Sequence, residues 1–404
     1  MRVVQTFTVP MSLCFMEGQA QFWKQNGYEL NIVTSSNSHD DTNLEEFALR
    51  NAIQIHTISF RRNTELWHSF LNLRELTHFF ETTKPQIVHG NTPKAAFLTM
   101  IAARYKSIPV RIYEMHGLPL ETAANFRTKI GWWFAEKIMC FLATHVIAVS
   151  PSLRQSTIQK KLVRASEISV MHNGSCNGID AENIFNPSKV NQASVEQLRK
   201  KHNLSETQPI VGFVGRLTGD KGIQELYDAW QIVKKTYPTA KLLLIGGEDE
   251  RKKLSEKLRQ TIDKDSGIIR LGHQKNVLEY YALMDFLVLP SYREGLGNVV
   301  LEAAAMNKPA IVSNVTGLQD AVAKNQTGIF CQSRSAVDLA EKIKYYLQNP
   351  AIVQLHGKAA RQRVQTDFVP LDVWNAKLTL YQRLIAETES VTLRDVSPIL
   401  QATD

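Results

Sequence analysis

Cysteine is scarce in this chain. Cys14, Cys140, Cys176 and Cys331 stand far apart, with no C-x-x-C pair and no zinc-finger spacing. That excludes a disulfide framework and a structural zinc module, and it predicts free, buried thiols in a reducing cytoplasm. Long apolar runs are missing too. The longest, residues 131–149, is broken by Glu136, Lys137 and His145, which excludes a membrane-spanning helix. The opening Met1-Arg2-Val3-Val4 enters a strand pattern directly, without the regions of a secretory leader. No aromatic–basic repeat or recognised nucleic-acid motif is present, so nucleic acid is not an expected partner. No Asp-x-Asp cluster stands at a strand end, and no metal site is expected.

What is present is an ordinary globular composition, 44% hydrophobic and 21% charged over 404 residues. That length suits two or three domains with sizeable cores. Lys and Arg number 47 against 39 Asp and Glu, giving +8, and the isoelectric point is near 9.2. The balance favours anionic ligands or an anionic membrane surface.

Strand patterns at 2–8, 29–34, 53–58, 86–89, 110–114 and 145–149 alternate with helical stretches that include 67–80 and 126–142. Another strand near 168–171 precedes a turn-rich segment, 172–180. Beyond the polar segment 186–209 the alternation restarts, with strands at 210–214, 241–245, 268–271, 286–289 and 309–313. The pattern predicts an α/β fold of two Rossmann-like, doubly wound parallel sheets, with ligands held beyond the carboxyl ends of the strands. The expected domains are 1–189 and 190–370, with a helix over 371–388 returning to the first and a frayed tail over 389–404.

The most informative stretch follows the strand at 286–289. Pro290 ends that strand, and Ser291-Tyr292-Arg293-Glu294-Gly295-Leu296-Gly297 leads into a helix beginning near Asn298. A glycine turn before a helix N-terminus suits an anion, because backbone amides can approach it closely. Glu294 and Glu302 frame the turn. Carboxylates beside a phosphate are suited to accepting hydrogen bonds from hydroxyls, which points to a nucleotide sugar. As a dinucleotide fingerprint the stretch fails, since Val300 replaces the third glycine. An analogous strand end carries Gly215-Arg216-Leu217-Thr218-Gly219-Asp220-Lys221-Gly222. The spacing is not that of a P-loop. It supplies instead a forked donor, Arg216, and a point charge, Lys221, suited to a diphosphate leaving group and making a divalent ion unnecessary. Each pair alone also fits a solvated turn; their recurrence at two strand ends is what argues for a site.

Taken together, Gly215-Arg216, Lys221-Gly222, Glu294 and Glu302 resemble the retaining glycosyltransferases of family four. Gly272-His273 and Met284-Asp285 agree with that resemblance, which covers nearly the whole chain. It implies the GT-B architecture, two Rossmann-like domains facing across a cleft. Residues 9–13, 117–122 and 175–180 are similar to bacterial enzymes that build capsular polysaccharide or lipid-linked oligosaccharides. The resemblance implies a catalytic set of His116, Arg216, Lys221 and Glu294. Arg216 and Lys221, with Gly215, would hold the donor diphosphate, and Glu302 the ribose hydroxyls. Glu294 would hold the transferred sugar, near amides of Leu296, Gly297, Asn298 and Val299. Backbone at His273 would meet the base, and His116 would lie near the donor sugar. Many members carry a glycine pair in the first loop; this chain has Met11-Ser12-Leu13, leaving Ser12 to serve.

The resemblance also implies transfer from a nucleotide sugar, UDP in preference, to a lipid-linked saccharide, with no further cofactor. Glu121, Arg127 and Lys129 are the acceptor-side candidates. Residues 126–137 mix aromatics and cations, as would a patch touching an anionic membrane at its cytoplasmic face. An apolar helix packed on the sheet would read the same way. Rival readings are a sugar-nucleotide epimerase, marked by donor turnover without acceptor, and a phosphorylase, marked by dependence on inorganic phosphate. A non-catalytic nucleotide-sugar-binding protein is a third, against which the intact Arg216, Lys221, Glu294 and Glu302 stand.

Overall fold

A computed structural model describes residues 1–36, 43–60, 66–123, 125–249 and 253–400. The chain divides into two compact units. Met1–Asn177 joins the residues from Leu371 onward, and Gly178–Pro370 forms the other. The boundary thus falls at Asn177, ahead of the expected 189, because the intervening segment is tied to the second unit. Ile179 N–H donates to the Phe368 carbonyl at 2.8 Å. Arg361 donates to the carbonyls of Ala181 and Phe185 at 3.1 and 3.2 Å.

The first unit holds seven strands: β1 (Arg2–Thr6), β2 (Glu29–Thr34), β3 (Gln54–Thr57), β4 (Ile87–Gly90), β5 (Val110–Met115), β6 (His145–Ala148) and β7 (Ile168–Ser169). They run parallel in the order β3-β2-β1-β4-β5-β6-β7. Strands β4 and β6 are buried along their whole length, as a sheet covered on both faces requires. The second unit holds β8 (Ile210–Val214), β9 (Lys241–Ile245), β10 (Ile268–Gly272), β11 (Phe286–Leu289), β12 (Ala310–Ser313) and β13 (Gly328–Cys331), again parallel, ordered β10-β9-β8-β11-β12-β13. Edge strand β13 was not legible in the sequence: it is four residues long and opens on glycine. Among the described residues no helix is long and apolar enough to cross a membrane. All four cysteines are free, but Cys14 is exposed where a buried thiol was expected.

The last helix, Pro370–Leu400, belongs to the first unit beyond its first residue. It runs past the expected end at 388, so residues 389–400 are helical rather than frayed; residues 401–404 of the expected tail lie outside the described residues. Extending a docked helix adds a hydrogen bond for each residue fixed, which is far easier than nucleating a new one. Docking is both apolar and ionic. Tyr381 stacks on Trp23 with ring centroids 4.7 Å apart and planes within 8°, and its hydroxyl lies 2.6 Å from His89 Nδ1. Lys377, 2% exposed, donates to Glu114 Oε2 and to the Cys176 carbonyl, both at 2.8 Å.

Burial alone would raise the Glu114 pKa, but the Lys377 charge and the His89 hydrogen bond outweigh it and hold the carboxyl well below the usual range. The pair therefore stabilises the fold above the unfolded carboxyl pKa of about 4.3 and ceases to do so as pH falls toward the lower folded value. Lys377→Met leaves a buried carboxylate without its counter-charge. It is expected to cost about 3–5 kcal/mol at pH 7, read as a lower urea midpoint, with the difference from wild type narrowing on acidification. A loss below about 1 kcal/mol would mean that the pair does not secure the helix.

Candidate active site

In the second unit the two motif-bearing strands are neighbours. Strand β8 pairs with β11, Val211 opposite Phe286 and Gly212 opposite Leu287, where the strand order reverses. Loops leaving the carboxyl ends of two such strands converge, whatever their separation in sequence. Lys221 Nζ accordingly donates to Glu294 Oε1 at 2.5 Å, with both side chains largely buried. Lys221 ends a single 3-10 turn, Gly219–Lys221, and Gly222 follows at φ +71° before the helix Ile223–Thr236. A Cβ on Gly222 would lie 2.2 Å from the Pro290 carbonyl oxygen, so the two loops close only around glycine. Tyr292 N–H donates to the Asp220 carbonyl at 2.9 Å. The Tyr292 hydroxyl donates to Glu225 at 2.6 Å, and the Arg334 guanidinium lies 4.3 Å from its ring centre.

Arg216 takes a different partner. Its Nη1 donates to Asp249 Oδ2 at 2.6 Å, and its side chain is about half exposed. Each of the two cations expected at a phosphate thus carries a carboxylate partner. Glu302 lies on the helix Asn298–Ala305 and accepts from the Tyr281 hydroxyl at 2.8 Å. Burial raises the Glu302 pKa, against which the Tyr281 hydrogen bond acts. That helix starts after Gly297, at φ +86°, and no side chain caps its N-terminus. Leu296 is buried, and the Val299 carbonyl accepts from Tyr281 at 3.3 Å.

His273 follows Gly272 at the end of β10. Strands β8, β9 and β10 all run out at glycine, and a Cβ on Gly246 would sit 1.9 Å from the Gly215 carbonyl oxygen. A Cβ on Gly247 would lie 3.8 Å from that of His273. The sequence reading passed over Gly246-Gly247 and Asp249, although a glycine pair directly after the apolar run Leu242-Leu243-Leu244-Ile245 was a usable signal. Tyr281 gave none, since it lies in a helix with no motif around it.

In the first unit His116 follows β5, and Phe15 stacks on its ring, centroids 5.3 Å apart and planes within 16°. Burial pushes the imidazole pKa down to about 4, so the ring is neutral at physiological pH. Ser12 lies in the same 3-10 helix as Phe15, Pro10–Met16, with its amide donating to the Val9 carbonyl at 3.1 Å. Glu121 accepts from Lys160 at 3.0 Å and from Ser156 at 2.8 Å. Arg127 and Lys129 are exposed at the start of the helix Phe126–Leu142.

Two parallel, Rossmann-like α/β sheets, each with its strand-end loops, are the architecture of GT-B glycosyltransferases. A family model described as glycosyl transferases group 1 matches residues 194–363, and one described as glycosyltransferase family 4 matches residues 16–175. The chain is 31% identical over 388 residues to the capsular polysaccharide biosynthesis glycosyltransferase CapM of Staphylococcus aureus, spanning 96% of this chain and 98% of that one. An Escherichia coli UDP-Gal:alpha-D-GlcNAc-diphosphoundecaprenol alpha-1,3-galactosyltransferase is 23% identical, over 76% of this chain and 78% of the other. Among solved structures, the sucrose-phosphate synthase of Thermosynechococcus elongatus superposes with a TM-score of 0.79 at 20% identity, covering 96% of this chain and 99% of that one. Anabaena HepE, in complex with UDP and glucose, does so at 0.76 and 16% identity, covering 95% and 100%. The chain belongs to glycosyltransferase family four.

Gly222→Ala should displace the Lys221 turn from Pro290. A residue with a Cβ at this positive φ costs about 1–2 kcal/mol before the clash is counted, so a urea midpoint lowered by at least that amount is expected. Unchanged stability would show that the two loops are not held as described.

Proposed function

We propose that this glycosyltransferase moves a sugar, with retention of anomeric configuration, from a UDP-sugar to a lipid-linked saccharide acceptor in the assembly of a surface polysaccharide. The observation that carries the reading is the 2.5 Å Lys221–Glu294 pair, which joins the loops after two adjoining strands, one loop bearing Arg216 and the other leading into the helix of Glu302. A diphosphate has two cations to neutralise it, and the sugar and ribose each have a carboxylate to accept their hydroxyls. When the donor diphosphate takes Lys221, Glu294 is released to the transferred sugar. Arg216 and Lys221 then meet the charge that grows on the departing diphosphate. Glu302 is assigned to the ribose, the backbone at His273 to the base, the amides of residues 296–299 to sugar and phosphate, and His116 to the transferred sugar. Ser12 is assigned a supporting contact to the donor. In this scheme the leaving phosphate assists the acceptor hydroxyl on the same face of the sugar, with no protein nucleophile. UDP is favoured as the nucleotide because UDP-Gal appears in the name of one relative and UDP accompanies glucose in one structural neighbour.

The lipid-linked acceptor is supported by the names of the relatives and by the helix Phe126–Leu142. That helix buries only Glu136, Met139 and Cys140. Phe126 is 76% exposed and Phe134 57%, with Trp132 also exposed, among the exposed cations Arg127 and Lys129. A helix wholly packed on the sheet would not leave aromatics in water. Aromatics interleaved with cations suit the headgroup layer of an anionic bilayer, with Arg127 and Lys129 toward the acceptor phosphates. The Glu121 carboxylate is already engaged by Lys160, so its proposed acceptor contact requires exchange of that partner.

Calorimetry and donor hydrolysis with UDP-, GDP- and ADP-sugars test the donor. One UDP-sugar is expected to bind and turn over; no binding by folded protein would remove the donor assignment. Glu294→Ala should reduce transfer far more than UDP binding, and equal losses would sink its sugar-holding role. Flotation with phosphatidylglycerol vesicles should carry the protein, and phosphatidylcholine vesicles should not. Loss of flotation in an Arg127→Glu, Lys129→Glu variant is expected; unchanged flotation would remove this helix from the membrane contact.

A further inference from the structure

Two side-chain bridges run from the loop after β11 to the start of the helix Ile223–Thr236. One is Glu294 to Lys221, which ends the turn just before that helix. The other is Tyr292, whose hydroxyl donates to Glu225 Oε1 at 2.6 Å. Glu225 stands in the first turn of the helix, and its second oxygen, Oε2, is buried without a partner. Tyr292 is also tied through its backbone, its N–H donating to the Asp220 carbonyl at 2.9 Å. The Asp220 carboxylate in turn accepts from the Thr218 hydroxyl at 2.6 Å.

The two bridges differ in what an anionic ligand can do to them. Lys221 ends in a flexible, charged ammonium, which an anion can draw away from Glu294. The Tyr292 hydroxyl is neutral and is not attracted in that way. Burial, with the Glu225 carboxylate beside it, pushes its pKa up to about 12, so it remains a donor across the physiological range. The Arg334 guanidinium lies over the ring, 4.3 Å from its centre. Arg334 itself holds φ +63°, a left-handed conformation that a residue with a Cβ keeps only where its surroundings fix it. A hydrogen bond to a carboxylate is among the stronger kinds, and without this one neither Glu225 oxygen is bonded in the protein.

We propose that Tyr292 is a positioning residue: its bond to Glu225 keeps the two loops in register when the donor diphosphate takes Lys221, so that Glu294 stays aimed at the transferred sugar. This role rests on the donor reading above. In the free protein both side-chain bridges join the loops; in the donor complex only Tyr292–Glu225 remains. Removing the Tyr292 hydroxyl therefore acts on Glu294, through the loop, and leaves the diphosphate to Arg216 and Lys221.

Tyr292→Phe removes the hydroxyl and keeps the ring under Arg334. The readouts, on folded protein, are calorimetry with UDP and acceptor-free hydrolysis of UDP-glucose, UDP-galactose, UDP-N-acetylglucosamine and UDP-N-acetylgalactosamine. For the sugar that wild type hydrolyses, kcat should fall about tenfold or more, with UDP affinity within about twofold of wild type. Unchanged kcat, or an equal loss of UDP affinity, would overturn the role, since a bond that only stabilises the fold leaves the folded enzyme's kcat alone. Glu225→Gln keeps an acceptor oxygen and should retain most of the rate that Glu225→Ala loses; a Gln variant as slow as the Ala variant would also overturn it. Tyr292→Phe combined with Glu225→Ala should be no slower than the slower single variant, because each removes the same bond, and additive losses would count against it. If wild type binds no UDP or hydrolyses none of the four sugars, the donor reading has failed and this role with it. Wild-type turnover beside an unaffected Tyr292→Phe removes this role alone. Should Tyr292→Phe not fold, the two Glu225 variants test the same bond from its other end.

Discussion

The first unit is tied together by a contact between two buried charges, Lys377 and Glu114. Neither charge has access to bulk water, so each is tolerable only with the other present. The contact joins the last helix to the fifth strand, and with Tyr381 on Trp23 it makes the C-terminal helix part of the core of the N-terminal unit. It also reaches toward function, since the residue it fixes lies two positions before His116. The chain leaves the first unit at Asn177 and returns at Leu371, and the segments on either side of that excursion meet here. Asn177 Oδ1 accepts from Trp374 at 2.7 Å, and the Cys176 carbonyl accepts from Lys377.

In the second unit the governing constraint is closeness of backbone. Three adjacent strands end at glycine, and a fourth meets Gly222 through the Pro290 carbonyl. Side chains at Gly246 or Gly222 would push the loops apart. With them absent, the loops after β8 and β11 approach until Lys221 reaches Glu294. Preorganisation of this kind brings Lys221 and Glu294 together within the fold itself.

Family membership and site chemistry rest on different supports. The family follows from similarity along nearly the whole chain and from the two sheets. The proposed assignment of side chains to diphosphate, ribose, sugar or acceptor rests on the family resemblance and on the chemistry of the side chains themselves. A shared architecture alone would not license those roles, because the same two-sheet plan serves transferases of many sugars.

Much was legible in the sequence because parallel strands buried on both faces leave unbroken apolar runs, and because glycine and proline punctuate where those runs end. Twelve of the thirteen strands among the described residues, the helix Phe126–Leu142, the loops bearing Arg216, Lys221 and Glu294, and the start of the helix bearing Glu302 could be placed by these signals. Strand β13 could not, since four residues opening on glycine carry too little pattern. The sequence by itself determined which residue types stand at which strand ends. Only the tertiary structure decided who meets whom: Lys221 with Glu294, Arg216 with Asp249, Glu302 with Tyr281, Glu114 with Lys377. Those partners are 73, 33, 21 and 263 residues apart. Strand order and helix docking, rather than spacing along the chain, set such distances, and no local pattern records them.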